Sequence, residues 1–184
     1  KITPDSTEVS IGGAGVIKNF KFIGWLSEEE TQGVNFFLGN IRGGEIVVED
    51  IDSGGTVTFT ILGEKTHLSV IKAEPIPEFA MKVYVAGDIA TTSHAVTYEH
   101  NKLETKYIKE LERAISREIK SQILMGITKL QKDYQVDLLN LGDYLRKFEP
   151  QLWKSYEQEW DDIFPQVSID VEVRTTIKNL GVLR

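Results

Sequence analysis

A run of aliphatic residues at helical spacing constrains this chain more than any other feature. Ile108, Leu111, Ile115, Ile119, Ile123, Ile127 and Leu130 recur every three or four residues, which is one face of an α-helix. The pattern covers about 30 residues, or about 45 Å at 1.5 Å per residue. A compact domain of this size is only about 40 Å across. The helix therefore spans the whole body, protrudes from it, or breaks, and Gly126 is its weakest point.

Around this helix the chain changes period. Residues 1–98 are strand-rich, residues 99–164 helical, and one strand closes the sequence. Residues 1–6 look like an incoming linker. Short strands are expected at 7–11 and 15–19, separated by the flexible Gly12-Gly13 pair, and an aromatic strand at 20–26. Ser27-Glu28-Glu29-Glu30 is a capping box, in which the Ser27 hydroxyl and the Glu30 carboxylate satisfy each other's backbone amides. A short helix should follow to about Leu38, with Gly39 as its terminator. Ile46 and Val48 mark a strand over 44–51, and Asp52-Ser53-Gly54-Gly55 a turn. Val57, Phe59 and Ile61 alternate with threonines, a half-buried strand. Gly63-Glu64-Lys65 is expected to turn the chain into a second strand over 66–72, giving a hairpin. Pro75 and Pro77 interrupt, and Phe79, Met81, Val83 and Val85 mark the next strand.

Beyond the long helix, Asp137 is the expected N-cap of a second helix with Leu138, Leu141, Leu145 and Phe148 on its apolar face. Pro150 suits the first turn of a third helix. That helix carries Leu152, Trp153, Tyr156, Trp160, Ile163 and Phe164 inward and ends at Pro165. Val167, Ile169, Val171 and Val173 alternate with polar residues, so one side of the sheet faces water or a polar partner. The expected class is α+β: a mainly antiparallel sheet packed with one long helix and two or three shorter ones. Residues 1–12 read as linker or first strand, and 13–184 as a single domain.

Composition narrows the function. The 184 residues carry a net charge of −7, which argues against nucleic acid as a partner. With no cysteine there is no disulfide, thiolate nucleophile or cysteine metal site in this stretch. No run of about 18 apolar residues occurs, and no signal peptide. The chain starts at Lys1 and reads as a processed product or a fragment.

The cluster Gly12-Gly13-Ala14-Gly15 lacks the order of a dinucleotide or phosphate loop, and a flexible turn is the better reading. His67, His94 and His100 share no metal-ligand spacing, so no metal or cofactor is expected. Asp161 and Asp162 are adjacent and point apart on a helix, so they are read as solvated charge rather than an acid–base pair. Trp153, Tyr156 and Trp160 suit a sugar-stacking platform and a buried helix face equally in spacing; the core reading is preferred, and Trp25 is treated the same way. On the long helix, Lys102, Lys106, Lys109, Arg113, Arg117, Lys120, Lys129 and Lys132 interleave with Glu104, Glu110, Glu112 and Glu118. The plain reading is a mixed-charge outer face; the sharper one is a basic ridge toward acidic lipid headgroups.

The order of segments over about residues 9–184 resembles the C-terminal domain of the Ger(x)C family of spore germination lipoproteins. The strand–turn–strand–helix opening at 16–33 contains Gly24-Trp25-Leu26-Ser27-Glu28-Glu29-Glu30. Glu99 precedes the long helix, and 123–137 ends in Gln131-Lys132-Asp133-Tyr134-Gln135-Val136-Asp137. Leu141-Gly142-Asp143-Tyr144-Leu145 resembles a family motif that usually has Phe in place of Leu141. Pro150-Gln151-Leu152-Trp153-Lys154, Glu159-Trp160-Asp161-Asp162-Ile163-Phe164-Pro165, and the ending 167–173 with Gly181 follow in family order.

The resemblance implies a non-enzymatic subunit of a nutrient germinant receptor, a scaffold or signal-coupling domain with no catalytic residues to carry over. It implies A-type and B-type integral-membrane subunits as partners. It also implies a lipid anchor, on a cysteine N-terminal to this stretch, at the outer surface of the spore inner membrane. Contact is expected through an exposed helix face or the polar side of the sheet, with no partner-binding residue assignable. Two other expectations stay open: direct binding of a small germinant in an apolar pocket, and a cortex or cell-wall hydrolase with two carboxylates across a groove.

Overall fold

The computed structural model describes residues 12–49, 55–92 and 102–180, of which 91–92 and 102–104 by backbone alone. The expectations for residues 1–6 and 7–11, for residues 52–54, for the histidines His94 and His100, for a helix start near Glu99 and for Gly181 lie outside the described residues.

The described chain runs β1 (Ala14–Lys18), β2 (Lys21–Leu26), α1 (Glu28–Leu38), β3 (Glu45–Glu49), β4 (Thr56–Lys72), β5 (Glu78–Thr92) and α2 (Lys102–Thr128). A π-helical turn (Lys129–Tyr134) extends α2. Next come α3 (Leu141–Phe148), α4 (Pro150–Tyr156), α5 (Trp160–Ile163), a 3₁₀ turn (Phe164–Gln166) and β6 (Ser168–Leu180). Among the described residues the strands form a two-stranded ribbon β1–β2 and a four-stranded sheet in the order β3-β4-β5-β6. This is the α+β architecture expected, with every pairing antiparallel except the parallel β5–β6 pair. Alternating apolar residues specify a strand and its buried face but not its direction. The long crossover through α2 decides that β6 arrives parallel.

One expectation about β4 needs correction. Gly63-Glu64-Lys65 is not a turn: β4 continues through it, and the register shifts between Ile61 and Gly63, leaving Leu62 as an unpaired bulge. A glycine within a strand pattern marks such a bulge as readily as a reversal. The chain reverses instead at 73–77, where the Glu74–Pro75 bond is cis. Gly126 does not break the long helix either. A Cβ there would stand 2.9 Å from the Glu30 carbonyl oxygen, and one at Gly33 would stand 1.9 Å from that of Gln122. The two glycines let the α1 and α2 backbones touch where the helices cross.

The helix stripe and the sheet bury each other. Leu111, Ile115, Ile119, Ile123, Ile127 and Leu130 share a hydrophobic cluster with Phe59, Ile61, Phe79, Met81, Val83 and Val171. Burial of each such side chain contributes about 1.5–3 kcal/mol before conformational entropy. Ile108 is only half-buried, so the stripe fades toward the start of the helix. The Ser27 box forms as expected, and Gly39 closes α1 in the left-handed conformation.

The expected third helix over 150–164 is broken into α4, α5 and the 3₁₀ turn. Asp137 does not stand at the N-cap of α3; Asn140 does, without a side-chain capping bond. Asp137 caps from upstream, its two carboxylate oxygens accepting from the Leu141 and Gly142 amides at 3.1 and 2.8 Å. The helical segment is tied to the far end of the β4–β5 hairpin by two tyrosines. The Tyr144 hydroxyl donates to the Leu68 carbonyl at 2.9 Å, and that of Tyr156 to the Ala73 carbonyl at 2.5 Å.

Candidate functional site

The polar residues that could carry chemistry are, for the most part, engaged with backbone. The second oxygen of Asp137 also accepts from the Trp160 indole at 2.9 Å. Gln131, buried in the π-helical turn, donates to the carbonyls of Phe164 and Val167 at 3.0 and 2.9 Å, fixing the entry to β6. Glu112 is not solvated as the mixed-charge reading had it. It accepts from the Ile177 amide at 3.0 Å, and Ser116 pairs with the amide and hydroxyl of Thr175. Through these side chains α2 satisfies the open edge of β6 in place of another strand.

Glu64 accepts from the Ile41 amide at 3.1 Å and lies 2.8 Å from the Thr66 hydroxyl. Burial pushes its carboxyl up from the ordinary 4.5, against the opposing effect of the Thr66 and Ile41 hydrogen bonds. The Thr66 hydroxyl also lies 3.0 Å from the Phe36 carbonyl. The Thr66 hydroxyl thus has one proton and two acceptors within reach, the Glu64 carboxylate and the Phe36 carbonyl. Burial likewise pushes the Tyr144 and Tyr156 hydroxyls up.

The residues singled out from sequence are scattered. His67 is exposed on β4, its ring edge-on to Tyr84 at 6.3 Å. Among the described residues no group of three or more His, Asp or Glu is placed to hold a metal. Asp161 and Asp162 are both exposed, and Asp161 pairs with Lys18 at 3.2 Å. In the glycine cluster, Gly13 takes a positive φ of 85° at the entry to β1, in line with a turn. Tyr156 and Trp160 are buried, and Trp153 is half-buried against Trp160 with ring centroids 5.6 Å apart. Trp25 is the exception to the core reading: it is 68% exposed.

Two open grooves lie among the described residues. One, of about 410 Å³, is lined by Glu30, Leu124, Met125, Lys129 and Asp133, with Ser121 and Thr128 at its edge. Lys129 pairs there with Asp133 at 2.8 Å, a contact that pushes its ammonium pKa up. A π-helical turn such as the one carrying Lys129 is found frequently at functional sites. The other groove, of about 480 Å³, lies between the end of β4 and α4 and includes Lys72, Glu74 and Glu149. Along the outer side of α2, Lys106, Lys109, Arg113 and Arg117 are exposed, whereas Glu110, Glu112 and Glu118 are half-buried. The exposed ridge is thus more basic than the sequence of the helix.

Comparison with known proteins adds what geometry alone does not. A family model described as spore germination B3/GerAC like, C-terminal, matches residues 12–181. Spore germination protein YndF of Bacillus subtilis (strain 168) is 30% identical over 179 residues, 96% of this chain and 43% of that protein. Spore germination protein B3 of the same organism is 28% identical over 173 residues, 93% of this chain and 45% of that protein. The crystal structure of the GerBC protein superimposes with a TM-score of 0.79 at 28% identity, covering 91% of this chain and 51% of that one. The chain therefore spans about half the length of the relatives it matches.

Proposed function

The chain belongs to the spore germination B3/GerAC-like C-terminal family, and from that premise we propose that it acts in spore germination as a non-enzymatic scaffold or signal-coupling domain of a nutrient germinant receptor. The observation that carries the reading is where the polar side chains go. Asp137, Gln131, Glu112 and Glu64 each hold backbone amides or carbonyls of other segments. Groups spent in this way rigidify a frame; they do not converge on a reacting atom. What such a frame offers is surface.

In this reading the full-length protein is held at the outer face of the spore inner membrane by an N-terminal lipid anchor, beside A- and B-type integral-membrane subunits. The basic ridge of α2 is the contact face favoured for those partners, since exposed charge of one sign steers and registers a complex with an acidic surface. The test is a charge reversal, Lys109→Glu with Arg113→Glu and Arg117→Glu, in the full-length protein. Spores should lose most of their response to that receptor's nutrient while the protein accumulates normally. A normal response, in this variant or in a strain deleted for the whole subunit, would sink the reading.

A second reading has one specific observation behind it. The groove at Lys129 puts a cation and two carboxylates, Glu30 and Asp133, beside Leu124 and Met125. That combination suits a small zwitterionic nutrient. Calorimetry with amino acids, sugars and nucleosides tests it, and flat titrations with all three classes dismiss it.

A further inference from the structure

The β1–β2 hairpin presents an apolar face to solvent. Ile17, Phe22 and Trp25 are 61%, 56% and 68% exposed, and Phe20 at the tip is fully so. The register shows how the face is assembled. Gly15 pairs with Trp25 and Ile17 pairs with Phe22, and directly opposed residues share a face. In a regular strand Phe22 and Trp25, three residues apart, would point to opposite sides. The register shift between Val16 and Ile17 leaves Ile23 without a partner, and that bulge brings both rings to one side. The rings meet edge to face at 5.1 Å. They lie over Gly15, where a Cβ would stand 3.4 Å from Phe22 and 3.5 Å from Trp25.

The other face of the hairpin is already occupied. Val16 and Leu26 are buried, and the Tyr134 ring lies so close over Gly24 that a Cβ there would be 2.5 Å from it. The Tyr134 hydroxyl donates to the Trp25 carbonyl at 2.7 Å, and the Lys18 ammonium to the Gln135 carbonyl at 3.0 Å. The hairpin is thus clamped to the end of the π-helical turn, with a second apolar face held outward. The tip repeats the theme. Asn19 and Phe20 have φ of 51° and 61°, positions that two-residue turns usually give to Gly or Asn. Phenylalanine there is a strained choice that keeps a large ring in the open.

The relatives indicate what covers this face. They are about twice the length of this chain, and the region matched is by description their C-terminal one. The hairpin is the first described element of that region, so in such proteins the preceding polypeptide enters beside it. A tethered segment acts at high effective concentration. An anionic lipid surface fits less well. Lys18 is neutralised by Asp161, and Glu28, Glu29 and Glu30 follow directly on β2. We propose that the face formed by Ile17, Phe20, Phe22 and Trp25 docks the N-terminal half of the full-length polypeptide. The contact fixes how the two halves sit together and stands independently of the receptor reading.

Hydroxyl-radical footprinting with mass spectrometry, run on the 184-residue chain and on the full-length polypeptide, tests this directly. Modification of Trp25 should fall at least about fivefold in the longer form, from 68% exposure toward the few per cent of a buried contact. Phe148, 56% exposed on α3, should be modified equally in both. Equal modification of Trp25 in the two forms overturns the proposal, as does a gene that encodes nothing upstream. Protection already present in the 184-residue chain overturns it in favour of residues 1–11. Protection that rises with protein concentration points to a second copy. Protection that needs phosphatidylglycerol vesicles points to lipid. Either result also overturns the proposal. The double variant Phe22→Ser, Trp25→Ser should leave melting of the 184-residue chain nearly unchanged, because both side chains are exposed. In the full-length protein it should raise the rate of proteolytic release of this region severalfold, and an unchanged rate would count equally against the interface.

Discussion

Replacing Asp137 with alanine tests whether the frame depends on the group that ties three segments together. Its carboxylate accepts from the Leu141 amide at 3.1 Å, the Gly142 amide at 2.8 Å and the Trp160 indole at 2.9 Å. The two amides belong to the first turn of α3, whose N-cap residue Asn140 makes no side-chain capping bond. Loss of the only side-chain cap costs about 1–2 kcal/mol. Trp160 is buried, and its indole left without an acceptor costs about 1–3 kcal/mol. The contributions share one carboxylate and do not add fully, so about 3 kcal/mol is expected. For a chain of this length that corresponds to a fall in Tm of about 6–12 °C. Asp137→Asn keeps one acceptor oxygen and should lose about half as much. Urea and thermal unfolding followed by far-ultraviolet circular dichroism give the size, and the near-ultraviolet signal shows whether Trp160 is released. Stability within about 0.5 kcal/mol of the parent, the range of ordinary surface changes, would refute the reasoning. So would an Asn variant as damaged as the Ala variant.

Gly33→Ala should cost at least about 3 kcal/mol, because the new Cβ would meet the Gln122 carbonyl at 1.9 Å and force the helices apart; a melting curve close to the parent would show that the crossing is looser than described. Ser27→Ala should cost about 1 kcal/mol, the usual worth of an N-cap, and Glu30→Gln should cost less because it retains the reciprocal bond to the Ser27 amide. Glu64 is the group to test by pH. Its carboxyl is raised in the folded state, so the stability it adds is full below the ordinary 4.5 and is lost as pH rises through the raised value. Glu64→Gln mimics the protonated acid, so melting temperatures of parent and variant should agree in acid and diverge toward neutral pH in the variant's favour. A difference that does not change with pH would refute the upward shift of the Glu64 carboxyl. The effect will be modest, since Glu64 is only partly buried and solvent screens it.

Much of this protein was legible before any coordinates. The aliphatic spacing from Leu111 to Leu130 specified the long helix and its buried side, because 3.6 residues per turn leaves few other ways to gather those side chains. Ser27, Glu30 and Gly39 marked both ends of α1 by local hydrogen bonding alone. The alternation of Ile169, Val171 and Val173 with polar residues marked β6 and its polar face. These features depend on neighbours a few residues apart, and sequence records such neighbours directly.

Tertiary structure decided what depends on distant partners. Gly63 stays paired beside the bulge at Leu62 and makes no turn, because β5 stays in pairing reach past it. Gly126 continues the helix because α1 presses on it. Glu112 serves β6 instead of solvent because the chain returns parallel to β5. Phe22 shares the outward face of Trp25 because one unpaired residue, Ile23, reverses the alternation between them. Local pattern fixes which side chains are apolar and how they are spaced. Only the packed chain fixes which of them find a partner, since each partner comes from a segment that no local pattern can see.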